Sequence, residues 1–174
     1  KRVFAIIRAV INLSIQEYGL SCKNAFAKTY IPDLEDTIKR QPIPIDIIRD
    51  IQKECMKMND PNRWLIAIIS DTGMRLSEAL GLKVNDIKLD EEIPYLNITP
   101  NSARRLKTKS SKRQIPLVGS SLWSAKQILM NVKGEFAFPH YTIKGYCHTN
   151  SASAALNKWL KTKTTKNFVI HSLR

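Results

Sequence analysis

The sequence predicts a mainly helical α+β fold with a small antiparallel β-sheet near its middle. Apolar residues recur with a period close to 3.6 in most segments of the chain, as on the buried face of an amphipathic helix. The stretch PYLNIT at residues 94–99 instead alternates between apolar and polar residues, which is typical of a half-buried strand. Apolar residues make up 43% of the 174 residues, so the chain can build a packed core and extensive disorder is not expected.

The N-terminal segment is predicted to be helical from residue 1 to about residue 30, and Gly19 closes its apolar repeat. The stretch that follows, YIPDLEDTIKRQPIPID, contains three prolines among polar residues. Because proline does not continue a helix, we predict an extended linker there. The predicted organisation is a last helix of one domain, a linker and a second domain, at residues 1–31, 32–44 and 45–174.

Five helices are predicted in the second domain. The stretches DIIRDIQKECMKMND and NRWLIAIIS each place apolar residues on one helical face, and Pro61 opens the second of them. A short helix follows the Gly73 turn in DTGMRLSEALGL, and two more helices are predicted in SSLWSAKQILMNV and NSASAALNKWL. Before these last two, RRLKT and RQIPL flank the polar KSSK, which predicts a small antiparallel hairpin.

The net charge is the most informative bulk property. The chain has 28 Lys and Arg against 15 Asp and Glu, and a net charge of +13 favours a polyanionic partner, either nucleic acid or an anionic membrane. No apolar run reaches the roughly 18 residues of a membrane span. The positive charge is concentrated in two acid-free clusters interleaved with Ser, Thr and Asn, which favours contact with a phosphate backbone over a solvated basic surface without a partner. The clusters comprise Arg104, Arg105, Lys107, Lys109, Lys112 and Arg113, and Lys158, Lys161, Lys163 and Lys166.

Several classes of enzyme are not supported by the sequence. It contains none of the motifs GxxxxGKS/T, HExxH and GxSxG. The three cysteines are too far apart for a CxxC zinc site or a disulfide framework. The acidic residues between positions 86 and 92 are predicted to be loop charges and not a two-metal site. No metal and no cofactor is therefore predicted.

Two short motifs carry candidate chemistry. Arg75 follows a Thr-Gly turn at the start of a short helix, where a rigidly held guanidinium suits a phosphate, and Glu78 lies one helical turn further on. An ordinary surface ion pair is the alternative for these two residues. His171 and Arg174 are spaced i, i+3, which places them on the same side of a helix. Since histidine transfers protons and arginine neutralises phosphoryl oxygens, these residues and the hairpin lysines together predict metal-free phosphoryl transfer.

Three blocks in this order resemble the motifs of the tyrosine recombinases, or phage integrases. DTGMRLSEALGL resembles the first arginine box, LKTKSSKRQIPL resembles the lysine hairpin with its closing strand, and HSLR resembles the His-x-x-Arg box. RAVINLSIQEYGL also resembles the last helix of the family's core-binding domain. The resemblance spans nearly the whole chain. It implies a core-binding helix at residues 1–31 and the family's catalytic-domain fold, incomplete at its C-terminus, at residues 45–174.

The resemblance implies a role for each matching residue. Arg75 and Arg174 correspond to the two arginines that contact the scissile phosphate, and Glu78 supports the first of them. His171 assists proton transfer. The lysine that protonates the 5′-hydroxyl leaving group is expected at Lys107, with Lys109 as the alternative because a one-residue difference in hairpin length would select it. The other basic residues of the two clusters are expected to bind DNA.

The family's nucleophilic tyrosine lies downstream of the His-x-x-Arg box, and all five tyrosines of this sequence precede that box. The chain is therefore expected to be a truncated form that binds double-stranded DNA without cleaving it. The resemblance further implies a homotetramer on paired sites for the full-length protein, a monomer for this fragment, no membrane association, and a cytoplasmic, DNA-associated location in bacteria or phage. Two alternatives are a type IB topoisomerase-like enzyme and a DNA-binding remnant without chemistry.

Overall fold

The computed structural model describes four ranges of the chain: residues 2–30, 41–106, 111–164 and 168–173. The chain divides into two compact units, Lys1–Lys39 and Arg40–Arg174. None of the helices in the described ranges is both long enough and apolar enough to cross a bilayer. The predicted α+β class is confirmed, because the described elements are mainly α-helices and two small antiparallel sheets.

The first unit is built on helix α1 (Arg2–Glu17). Gly19 adopts a left-handed conformation, with φ 57°, and the helix ends two residues before it, so it is shorter than predicted. The chain then folds back along α1, where the Arg8 guanidinium donates hydrogen bonds to the backbone carbonyls of Phe26 and Thr29, each at 2.6 Å. The Asn24 side-chain amide also donates to the carbonyl of Arg8, so side chains attach the described segment after Gly19 to α1.

Five α-helices form most of the described part of the second unit, and α3 is the central one. Six successive residues of α3, at positions 64–69, are buried, and the helix packs against α2 and α5. Asp60 caps its N-terminus by accepting hydrogen bonds from the backbone amides of Asn62 and Arg63, and Pro61 occupies its first position. The helices are α2 (Ile45–Met58), α3 (Pro61–Thr72), α4 (Leu76–Leu80), α5 (Gly119–Asn131) and α6 (Thr149–Lys163).

The larger sheet is antiparallel, with the strand order β1–β2–β3. Leu96 pairs with Ile115 and Ile98 pairs with Arg113. The partner of β3 is therefore the alternating segment around Leu96. The predicted pairing of RRLKT with RQIPL is wrong for residues 104–106, which form no strand. The three strands are β1 (Ile87–Lys88), β2 (Tyr95–Ile98) and β3 (Arg113–Pro116).

The second sheet is a short hairpin that the sequence did not predict. It joins β4 (Thr142–Ile143) to β5 (Tyr146–Cys147). The turn residues Lys144 and Gly145 both have positive φ, at 50° and 77°, as in the two-residue turns whose twist matches that of antiparallel strands. Each strand has only two residues, which is too short for an alternating pattern to be recognised.

Candidate active site

Arg75 is presented at the junction between two helices. Helix α3 ends at Thr72 and is capped by Gly73, which has φ 60° and donates its backbone N–H to the carbonyl of Ile69. Met74 is fully buried and anchors the junction in the core. Arg75 then adopts an extended conformation as the N-cap residue of α4, and its side chain is 36% exposed. Its guanidinium is therefore held near the surface by a well-anchored stretch of backbone.

Glu78 holds two guanidinium groups at once. Its Oε1 accepts a hydrogen bond from Nη1 of Arg75 at 2.7 Å, and its Oε2 accepts one from the backbone amide of Arg75 at 2.9 Å. The same Oε2 accepts a hydrogen bond from Nη2 of Arg113 at 3.0 Å. The Glu78 side chain is only 2% exposed, so the alternative of an ordinary surface ion pair is wrong.

The resulting cluster, which we call the arginine pair (Arg75, Glu78 and Arg113), combines residues from α4 and β3. Both guanidinium groups are about one-third exposed, whereas the carboxylate beneath them is buried. Two positive charges and one negative charge leave a net positive charge that faces solvent. Such a site suits an anion with several oxygens, because each guanidinium can offer directed, charge-assisted hydrogen bonds.

The position of Arg113 beside Arg75 was not predicted from the sequence. Arg113 was expected to be a DNA contact of the basic cluster, although its place in the strand indicates another role. Along β3 the partly buried positions alternate with exposed ones, and Arg113 shares a face with Ile115. An arginine on the apolar face of a strand is typically paired with a carboxylate, since burying a charge without a partner is costly.

The carboxyl group of Glu78 has a lowered pKa. Burial by itself raises the pKa of this group, but the hydrogen bonds from the Arg75 amide and from the Arg113 and Arg75 side chains outweigh burial. Glu78 is therefore ionised at neutral pH, as its role between two guanidinium groups requires. Since its pKa in the folded state lies below the ordinary 4.5, its contribution to stability is fully present above about pH 4.5 and is lost as the pH falls through the folded-state pKa.

This sign gives a testable pH dependence. The free energy of unfolding of the chain is expected to fall as the pH is lowered from about 4.5. The variant Glu78→Gln is expected to be less stable at neutral pH, and its free energy of unfolding should change less with pH in the acid range. The measurement is urea unfolding between neutral and acid pH. Glu91→Gln, which removes an exposed carboxylate, is the matched control and should keep the wild-type slope. An acid limb that is equally steep in Glu78→Gln would contradict this assignment.

Arg104, which was predicted to bind DNA, is a structural residue. Its side chain is fully buried; Nη2 donates to Oδ2 of Asp86 at 2.9 Å and Nε donates to the carbonyl of Thr99 at 2.8 Å. Within the described ranges its Nη1 is buried and has no hydrogen-bond partner. A Cβ added to Gly81 would lie 2.6 Å from the Arg104 Cβ. The turn at residues 101–104 therefore packs directly on the end of α4. The prediction that Arg104 contacts DNA is therefore wrong, and Asp86, which was predicted to be a loop charge, is the partner in a buried ion pair.

The other predicted DNA contacts differ in whether their side chains already have partners within the protein. Arg105, Lys112, Lys158 and Lys161 are exposed. Lys163 is engaged within the protein, because its Nζ lies 3.0 Å from a Glu54 carboxylate oxygen and 5.8 Å from the centre of the Trp159 ring. Both partners of this ion pair are at least one-third exposed, so the pair is weak and a phosphate could replace Glu54.

His171 occupies an exposed position in a short 3-10 helix, Ile170–Leu173, that packs against α3 and α6. Ile170 and Leu173 are buried on its other side. Among the residues that the structure describes, no group of three or more His, Cys, Asp and Glu side chains is placed to hold a metal ion. Four predicted site residues lie outside the described ranges: Lys107, Lys109, Lys166 and Arg174.

A helical domain of this topology, with a small three-stranded antiparallel sheet, has the catalytic-domain fold of the tyrosine recombinases. The chain belongs to the phage integrase family, whose model matches residues 45–174. The family suggested by the three sequence blocks is therefore confirmed.

The chain is similar in sequence to transposases of mobile DNA elements. The transposase from transposon Tn916 of Enterococcus faecalis is 27% identical over 155 residues, which cover 70% of this chain and 36% of that protein. The chain therefore spans about a third of the length of this curated relative.

Two solved structures illustrate the likeness in fold. The integrase of transposon Tn1549 in complex with circular intermediate DNA superposes with a TM-score of 0.66 at 19% identity, over 99% of this chain and 62% of that chain. The XerA recombinase superposes with a TM-score of 0.57 at 13% identity, over 94% of this chain and 55% of that chain. At such identities the likeness concerns the fold.

Proposed function

We propose that this protein is a site-specific DNA recombinase that cleaves and rejoins DNA through a 3′-phosphotyrosyl intermediate. The observation that carries the proposal is the arginine pair, which lies in the domain matched by the phage integrase family. Its exposed guanidinium groups suit the oxygens of a phosphodiester. The Tn1549 integrase was solved in complex with DNA, which supports double-stranded DNA as the partner.

In the proposed reaction, a tyrosine oxygen attacks the scissile phosphorus while the bond from phosphorus to the 5′ oxygen breaks. The tyrosine gives up its proton to a histidine that acts as general base, and the leaving 5′ oxygen receives a proton from a lysine. Arg75 stabilises the negative charge on the non-bridging oxygens, and Glu78 keeps Arg75 in position. The phosphotyrosyl ester conserves the bond energy, so attack by a 5′-hydroxyl rejoins the DNA without a high-energy cofactor.

The other roles rest on the resemblance of the motifs. A histidine assists proton transfer, a second arginine contacts the phosphate, and a lysine acts on the leaving group. The proposed residues are His171, Arg174, and Lys107 or Lys109.

We propose that the nucleophile is not among the tyrosines of this sequence, so that the chain binds DNA without cleaving it. The proposal rests on the resemblance, in which the nucleophile follows the His-x-x-Arg box. The structure adds only that Tyr141 is unsuited to this role, because its side chain is buried and its hydroxyl donates to Oδ1 of Asn62 at 2.8 Å. A tyrosine held in this way serves the packing of the domain. The full-length protein is proposed to act as a homotetramer on paired sites.

A nicked suicide substrate tests the proposal, because loss of the short 5′ fragment traps the covalent adduct. The full-length protein should form a protein–DNA adduct on its cognate site, and the 174-residue chain should bind the same DNA without an adduct. Binding by the full-length protein without an adduct on any candidate site would refute recombination and support the DNA-binding remnant. Relaxation of supercoiled plasmids that lack a specific site would support the topoisomerase alternative.

A further inference from the structure

A polar groove of about 630 Å³ lies beside the short helix that begins after Arg75. Its walls come from α4, from the turn at residues 102–105 and from the β4–β5 hairpin. Of the described residues that line it, none is acidic, two are cationic and several carry hydroxyl groups. The side chains relevant to binding are those of Ser77, Ser102, Arg105, Lys144, Tyr146 and Thr149.

The walls of this groove are fixed to each other through the inner face of the hairpin. The Thr142 hydroxyl donates to the carbonyl of Leu80 at 2.7 Å, which ties β4 to the end of α4. The Cys147 thiol donates to the carbonyl of Ala103 at 3.2 Å, which ties β5 to the neighbouring turn. The hairpin is thus attached on both strands to the scaffold that also carries Arg75, and the groove is a built feature of the fold.

The outer face of the hairpin is exposed, and no described part of the chain covers it. Ile143 and Tyr146 pair across the two strands and are 51% and 76% exposed. Lys144 is exposed at the turn between them. A tyrosine hydroxyl, serine and threonine hydroxyls and two cations around one groove match the groups that contact DNA phosphates and sugars in protein complexes.

We propose that this groove binds the sugar–phosphate backbone of double-stranded DNA beside the scissile phosphate. The choice of DNA as the occupant rests on the proposed function. Ser77 lies on α4, the helix whose N-cap residue is Arg75, so the groove and the proposed reaction site share this helix. The charge of Arg105 and Lys144, with no acidic residue among the described lining, favours a polyanion over a protein surface.

Salt-dependent DNA binding tests the proposal on the protein side. Each lost phosphate contact lowers the slope of log K against log salt by about 0.9, so the double variant Arg105→Gln/Lys144→Gln should lower it by about 1.8. Lys126→Gln, which removes an exposed charge from α5, is the matched control and should keep the wild-type slope. Glutamine preserves most of the side-chain length, and circular dichroism verifies that each variant is folded.

A change on the DNA side complements these variants. Neutral methylphosphonate groups, placed one at a time near the cleavage position, should include one that weakens binding of the wild type by about tenfold but leaves the double variant unaffected. An unchanged salt slope, or equal weakening of both proteins by every substitution, would overturn the proposal. The proposal would also be overturned if the double variant changed self-association in analytical ultracentrifugation but not DNA binding, because the groove would then contact a second copy of the chain. Adduct formation on the suicide substrate is scored separately, so failure of the groove and failure of the recombinase function are distinguishable.

Discussion

Replacing Arg75 by alanine in the full-length protein is expected to slow formation of the covalent adduct by about 10³-fold or more, because an arginine on a transferring phosphoryl group contributes about 10³–10⁵ to the rate. DNA binding is expected to weaken by less than about tenfold, since one of many phosphate contacts is lost. Glu78 holds the Arg75 guanidinium at 2.7 Å before any ligand arrives, so the stabilising group needs no reorganisation during the reaction.

The measurement compares adduct formation on a nicked suicide substrate with the dissociation constant from fluorescence anisotropy at the same salt concentration. Arg49→Ala is the matched control, because Arg49 is an exposed arginine on α2 whose side chain is 68% accessible. It should change neither quantity by more than about twofold. Equal losses of binding and cleavage in Arg75→Ala would contradict the assigned role and make Arg75 one more backbone contact.

Replacing Arg104 by alanine is expected to lower the free energy of unfolding by about 3–5 kcal/mol, the range for removing one partner of a buried ion pair. The change leaves Asp86, whose side chain is 13% exposed, without its cation, and it leaves a cavity where the fully buried guanidinium lay. It also removes the hydrogen bond that ties the turn to the carbonyl of Thr99 at 2.8 Å.

The adjacent residue offers a matched control for this prediction. Arg105 is exposed, and Arg105→Ala should change the free energy of unfolding by no more than about 0.5 kcal/mol. Urea unfolding of the two variants and the wild type, with circular dichroism as the probe, decides between them. A similar small effect of both changes would mean that the buried pair of Arg104 and Asp86 contributes little net stability.

The helices of the second unit and the position of Arg75 at a helix start were predictable because they depend on local information. The apolar stripe of α3, the proline at its first position and the glycine at its end are all visible in the sequence. The same holds for the spacing of Arg75 and Glu78, which are one turn apart. Periodicity and helix-end residues are sequence-local signals, and tertiary contacts here agree with them.

The ion pairs of Arg104 and Arg113 could not be predicted from the residues next to them in the sequence. Both lie in a run of basic residues that is typical of an exposed, DNA-binding surface. Their pairing depends on Asp86 and Glu78, which lie 18 and 35 residues away in the chain. The predicted strand partner of β3 was wrong for the same reason. Residues 104–106, which were expected to form that strand, follow a turn that buries Arg104. The short β4–β5 hairpin left no periodic signal at all.

The bridge formed by Glu78 has a consequence for the resting state of the protein. Two guanidinium groups brought together without a counterion would repel each other, and the domain would then depend on a bound anion to stay folded around them. The buried carboxylate supplies that counterion from within the chain. The ion pairs of Glu78 with the two arginines therefore keep the site ordered without a bound anion. A phosphate that binds there displaces water and salt ions from the surface, and the ion pairs with Glu78 are kept. A phosphate bound at the arginine pair can therefore leave without disturbing the folded domain.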